Sequence, residues 1–185
     1  MRHPEFGSWV KGSENNSLYA SLKNCMKTNS RTFTLLFLLL IPSSLYAGQF
    51  KITSVIAGDA VAIESHNLKL RVRLAGIDSP ELPEQPYCQQ AKRHLADLVL
   101  NKFVDLKRYG KDRYGWILGV VYAGTKNINL EMVKAGYAEA FKEQLPKGFT
   151  IAPYLMAEAE ARKAKQGMWV QGDNYVSPGH WRKMH

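Results

Sequence analysis

Residues 68 to 81 read Leu-Lys-Leu-Arg-Val-Arg-Leu-Ala-Gly-Ile-Asp-Ser-Pro-Glu. Leu68, Leu70, Val72 and Leu74 alternate with Lys69, Arg71 and Arg73, the two-residue period of a strand with one face in a core and the other turned outward. Gly76 interrupts that strand, and a bulge or close backbone approach there can re-aim Asp78. Pro80 holds Ser79 extended, which leaves the Ser79 carbonyl free to face an ion.

The same period runs upstream. Phe50, Ile52 and Ile56 alternate with Lys51 and Thr53, Ala57-Gly58-Asp59 marks a tight turn, Val61 and Ile63 continue the pattern, and Ser65-His66-Asn67 turns into the third strand. Asp59 shares parity with inward-pointing Val61 and Ile63, so its carboxylate belongs at the rim of the interior. Arg73 lies on the opposite parity from Val72 and Leu74. Downstream the period changes to that of a helix: Ala91, Leu95, Leu98 and Lys102 recur at helical spacing, and Val99 widens the stripe.

Phe103 to Lys107 and Trp116 to Tyr122 read as two more strands. Asn127 can cap a short helix that Gly136 ends, and Pro153 can open an alanine-rich helix closed by Gly167, with Glu158 and Arg162 paired at i, i+4. Five short antiparallel strands are too few for a sandwich. They suit a small barrel plugged by a helix, which removes exposed edges. The expected fold is α+β, mainly β: a five-stranded OB-fold barrel with three helices. An open five-stranded α+β sheet is the other architecture the periodicity allows.

Composition bounds the rest. The chain has 185 residues, 45% hydrophobic and 22% charged, which fits one globular domain. Its 25 Lys plus Arg against 16 Asp plus Glu give a net charge of +9, favouring polyanions: nucleic acid, or an anionic membrane. Cys25 and Cys88 have no C-x-x-C partner, which excludes zinc ribbons, redox pairs and a disulfide framework. His66, His94, His180 and His185 show no metal-ligand spacing, and no phosphate-cradling glycine motif occurs.

The run from Phe33 to Ile41 is far short of the roughly 20 apolar residues that span a bilayer. With Lys27 and Arg31 before it and Pro42 to Ala47 after it, residues 26–47 read as a signal peptide cleaved after Ala47. Residues 1–25 are a polar leader outside the fold, 48–169 the domain, and 170–185 an irregular basic tail on the surface. The expected product is secreted or periplasmic, monomeric, and free of stable membrane association after cleavage.

Chemistry concentrates in Gly58-Asp59 and in the run from Arg73 to Glu81, where one arginine and three acids gather at strand ends, the mouth of a barrel. Two carboxylates, a carbonyl and waters make a hard oxygen site suited to calcium and unsuited to zinc. A metal and an arginine can both stabilise charge developing on a phosphoryl oxygen, while a carboxylate one water away can orient or deprotonate a nucleophile.

Gly58-Asp59, Arg73 to Glu81, Asp112-Arg113-Tyr114-Gly115 and Gly167-Met168-Trp169 stand in an order and spacing that resembles the staphylococcal nuclease-like (thermonuclease) family across residues 50 to 169. The resemblance implies a calcium-dependent phosphodiesterase acting on DNA and RNA. By its pattern Asp59 and Asp78 bind calcium through carboxylates, Ser79 takes a threonine position that binds it through the main-chain carbonyl, Glu81 holds the attacking water, and Arg73 grips the scissile phosphate. Arg113 takes the place of a lysine near the substrate phosphate, and Tyr114 beside it is the other expected substrate contact.

Two departures matter. Trp116 stands where the family carries a second catalytic arginine, a loss worth on the order of 10³ to 10⁵ in rate unless another cation replaces it; Arg113 and Arg71 are the nearest substitutes in sequence. Ala60 replaces the threonine that usually follows Gly-Asp, removing a hydroxyl near a metal carboxylate. The implied enzyme is therefore a slow nuclease. The alternative is a barrel that has given up efficient chemistry and binds single strands, with Trp116 and Tyr114 stacking on bases.

Overall fold

The computed structural model describes residues 50–65 and 68–185. The expected leader and signal peptide, and the turn residues His66 and Asn67, lie outside the described residues. Three antiparallel strands, β1 (Phe50–Ala57), β2 (Ala60–Ser65) and β3 (Leu68–Leu74), form the first half of the sheet. The two-residue strand β4 (Ile77–Asp78) follows, then helix α1 (Cys88–Val99) and a hairpin of β5 (Phe103–Lys111) and β6 (Ile117–Ala123). The remainder comprises β7 (Lys126–Asn127), α2 (Ile128–Lys134), β8 (Glu139–Ala140), α3 (Ala152–Lys163), a 3-10 helix (Gly167–Asn174) and α4 (Pro178–Met184).

The sheet order is β3-β2-β1-β5-β6-β7, and an additional β3–β6 pairing closes it into a five-stranded barrel, so the OB-like α+β fold is the one observed and the open sheet is not. The closing ladder is parallel, with Val72 opposite Ile117 and Leu74 opposite Gly119. Strand periodicity reports which residues face inward and carries no information on direction, which is why five antiparallel strands were expected. Parity holds where the strands enter the barrel, with Val61, Ile63, Val72 and Leu74 buried and Arg73 half-buried on the other face, but the first half of β3 leaves the core and exposes Leu68 and Leu70.

Helix α1 plugs the barrel through Ala91, Leu95 and Val99, each fully buried at four-residue intervals. Burial of a side chain the size of Leu95 contributes about 2 kcal/mol. Asn127 caps α2, its side chain accepting from the Leu130 N–H at 3.1 Å. Inside α2, buried Asn129 ties three segments together. It donates to the carbonyls of Ala75 and Gly119 at 2.9 and 3.1 Å and accepts from the Val121 N–H at 3.1 Å, so the chain leaving β3 is fixed to β6 and α2.

The tail differs from expectation. Beyond Trp169 the chain is helical and packed: Trp169 and Tyr175 lie in ring contact at 4.4 Å, the Arg162 guanidinium sits 3.8 Å over the Trp169 ring, and the Tyr175 hydroxyl donates to Glu139 at 2.7 Å. Ser177 caps α4 by accepting from the His180 N–H. Aromatic residues spaced irregularly leave no periodic trace in the sequence, yet Trp169 and Tyr175 pack on each other and share the Arg162 guanidinium. Among the described residues no helix is long and apolar enough to cross a membrane.

Candidate cation site and nuclease centre

Three connections at one end of the barrel deliver the acids. Asp59 closes the β1–β2 turn, where a Cβ on Gly58 would stand 2.0 Å from Ser79 Oγ and 2.8 Å from the Ala91 methyl, so only glycine lets the turn approach the strand carrying Asp78. Gly76, at φ +76° with the Phe149 ring against it, lets the chain fold over after β3. Asp78 thereby enters β4 opposite Glu139 of β8. Glu81 follows Pro80, and its N–H donates to the side chain of buried Gln85 at 3.2 Å.

One carboxylate oxygen from each of Asp59, Asp78 and Glu81 lies within 4.8 Å of the others. Asp59 is fully buried and neither of its carboxylate oxygens has a hydrogen-bond partner. Burial, then the negative charge of Glu81, pushes its carboxyl up to about 8, against the opposing pull of Arg73. Burial also raises the Asp78 carboxyl.

Arg73 reaches in from β3 with loose contacts. Its Nη1 lies 3.5 Å from both Asp59 Oδ2 and Glu81 Oε1, and its Nε lies 3.4 Å from Asp112 Oδ2. Asp112 is held by the hairpin it opens, its Oδ1 accepting from the N–H groups of Tyr114 and Trp116 at 2.8 and 2.9 Å. This aims its second oxygen at Arg73, a role that sequence reading missed although Asp112 heads one of the matching motifs.

The other missed residue is Arg182 of α4. Its Nη1 and Nη2 hold Asp78 Oδ1 and Oδ2 at 3.1 and 2.8 Å, and Nη1 also holds Glu81 Oε1 at 2.8 Å. Among the described residues, the guanidinia paired with the three acids are those of Arg73 and Arg182. Arg71 instead lies over the Trp116 ring at 5.2 Å, with Arg73 over the same ring at 5.6 Å. Arg113 lies over Tyr114 at 4.9 Å, and both are exposed at the β5–β6 hairpin. Ser79 is buried beside the acids, its hydroxyl donating to the Tyr137 carbonyl at 2.9 Å.

Counting Asp112, four carboxylates face two guanidinia. With all four carboxylates ionised, the excess of two negative charges is that of one divalent cation. A buried ionised carboxylate costs several kcal/mol unless it is well paired, and the single 3.5 Å contact from Arg73 is a weak pairing, so Asp59 either keeps a proton or has room for a further cation. The donor set is all oxygen, the chemistry of calcium or magnesium rather than of zinc. The residues present fit such an ion.

The mouth of a small OB-type barrel thus carries an acidic cluster beside a half-buried arginine. Residues 71–171 match the family described as Staphylococcal nuclease homologue. The chain is 38% identical over 151 residues to an uncharacterized endonuclease of Haemophilus influenzae, covering 80% of this chain and 81% of that one. It is 34% identical over 142 residues to a micrococcal nuclease of Shigella flexneri, covering 72% and 79% of the two chains. A probable endonuclease LCL3 of Phaeosphaeria nodorum is 36% identical over 127 residues, 63% of this chain and 43% of its own. The chain belongs to the staphylococcal nuclease homologue family.

Proposed function

We propose that the protein is a calcium-dependent nuclease that hydrolyses phosphodiester bonds in DNA and RNA. The observation carrying this reading is the convergence of Asp59, Asp78 and Glu81 within 4.8 Å of one another, with Asp59 buried and without a hydrogen-bond donor and Arg73 alongside at 3.5 Å. Family membership and relatives named as endonucleases support the reaction class. Asp59, Asp78 and the Ser79 carbonyl would hold the cation. When bound, it supplies positive charge to a phosphoryl oxygen and polarises that phosphate.

The chain's own residues do the rest. Arg73 makes only contacts of 3.4 to 3.5 Å, longer than good charge-assisted hydrogen bonds of about 2.7 to 2.9 Å. Its donors can therefore be transferred to a phosphate with little to break. Charge on the phosphoryl oxygens grows during attack, and a guanidinium fixed in a partly dry site stabilises that growth. Glu81 is the least buried of the three acids, so it is the carboxylate placed to accept a proton from water at the opening. Gln85 fixes its backbone.

Arg113 and Tyr114, exposed at the hairpin, extend the nucleic-acid surface beyond the cleaved bond. Export after cleavage at Ala47 would deliver the enzyme to a secreted or periplasmic compartment, as a monomer without stable membrane association. The test is incubation of the chain with DNA and with RNA in calcium and in chelator. Cutting is expected in calcium alone and is expected to fall by at least 10³-fold in Glu81→Ala. Salt-sensitive binding of single strands with no cutting in either condition would establish the binding-module alternative instead.

A further inference from the structure

Both guanidinia at the mouth converge on one oxygen. Glu81 Oε1 lies 2.8 Å from Arg182 Nη1 and 3.5 Å from Arg73 Nη1. Two guanidinia that share a carboxylate oxygen form a clamp for a single anionic oxygen, and a phosphate oxygen has the charge and donor preference to replace it. We propose that Arg182, carried by the C-terminal helix α4, is a second phosphate-binding residue of this centre. The proposal rests on the nuclease reading above.

Three observations support it. First, α4 is placed independently of the acids: Tyr175 is bonded to Glu139, Ser177 caps the helix, and Pro178 is buried. Trp181 lines a small cavity with Pro80, Gln85 and Pro86, the segment that carries Glu81. Secondly, α4 meets the site on one face, since Gly179 and Arg182 lie one turn apart and a Cβ at Gly179 would stand 3.7 Å from Asp78 Oδ2. The guanidinium is thus positioned by the fold as well as by attraction.

Thirdly, Arg182 is one-third exposed, and its contacts to the acids use only its two terminal nitrogens. A guanidinium offers five N–H donors, so it can keep a bond to the acids while presenting others to a substrate. The Trp116 ring lies beside Arg71 and Arg73 and brings no charge of its own. The cation that the barrel's own hairpin lacks at position 116 is contributed by a segment 104 residues distant from Asp78.

The experiment uses the full chain with Arg182→Ala and Arg182→Lys, each made also in a Glu81→Gln background in which cutting is stopped. In that background, fluorescence anisotropy reads binding of a labelled single-stranded oligodeoxynucleotide in calcium. Arg182→Ala should weaken it at least tenfold, with Arg182→Lys in between. With Glu81 present, single-turnover cutting should fall about 10² to 10³-fold in Arg182→Ala, the usual loss of one donor to a developing oxyanion. Calcium affinity by calorimetry should be unchanged or tighter.

Unchanged oligonucleotide binding, or cutting as fast as in the parent together with tighter calcium binding, overturns the proposal and makes Arg182 a competitor of the cation. Absence of calcium-dependent cutting in the parent refutes the nuclease reading and leaves the anisotropy comparison to judge Arg182 separately. A thermal melt of Arg182→Lys and Arg182→Ala confirms that both variants retain the folded barrel.

Discussion

Asp59 concentrates the physics of this protein in one side chain. Held at the end of a turn that only Gly58 permits, it is buried with neither oxygen hydrogen-bonded, and in the cation-free protein its carboxyl is pushed up to about 8. The unfolded chain releases that proton near 3.8. Between these values the folded state binds the extra proton, so cation-free stability should fall as pH rises from about 4 to 8. Urea midpoints across that range, in chelator, check the sign; a rising midpoint would mean that Asp59 is ionised and paired. Asp59→Asn removes the charge while keeping the shape, and should raise the chelator-treated midpoint at pH 8 while abolishing the stabilisation that added calcium gives the parent. The places of Asp59, Arg73 and Asp78 at the barrel mouth were legible because strand parity and Gly76 determine where they point, whereas Glu81 was singled out by the family resemblance. Arg182 was not, since no local pattern ties a helix after Pro178 to a strand end at Asp78.

At the scale of elements, turns and one asparagine decide the geometry of the centre. A methyl on residue 58 would collide with Ser79 Oγ and the Ala91 side chain, and overpacking of this kind costs about 1–3 kcal/mol. Gly58→Ala should therefore lose stability in that range and weaken calcium binding more than its stability loss explains, because Asp59 moves with the turn; an unchanged calcium affinity would show that the turn has slack. Asn129 holds β3, β6 and α2 together through three buried hydrogen bonds. Asn129→Ala removes all three bonds at a buried position and should cost about 3 kcal/mol by urea unfolding. Strands and helices were readable from their periods, including the α1 stripe of Ala91, Leu95 and Val99. The parallel closure of β3 on β6 was not, because it is made by distant segments that share no turn.

For the whole molecule, charge and topology divide the labour. The net charge of +9 favours polyanions at the surface, while among the described residues a cluster of three acids sits at the mouth, where on the proposed reading a cation would neutralise it. Affinity for single-stranded DNA should accordingly fall steeply with salt, log K declining linearly with log salt. Filter binding between about 50 and 200 mM salt reads the slope, and a flat response would remove electrostatics as the source of affinity. The C-terminal segment, unreadable as structure from its sequence, proves to be packed against β8 and the acid-bearing loop, so the centre is assembled from both ends of the domain. If Asp59 and Asp78 hold one divalent cation beside Glu81, the chelator-treated chain must take it up. Calorimetric titration of the chelator-treated chain with calcium tests it: one site per chain is predicted, lost in Asp59→Asn, whereas no binding, or equal binding in that variant, would contradict it.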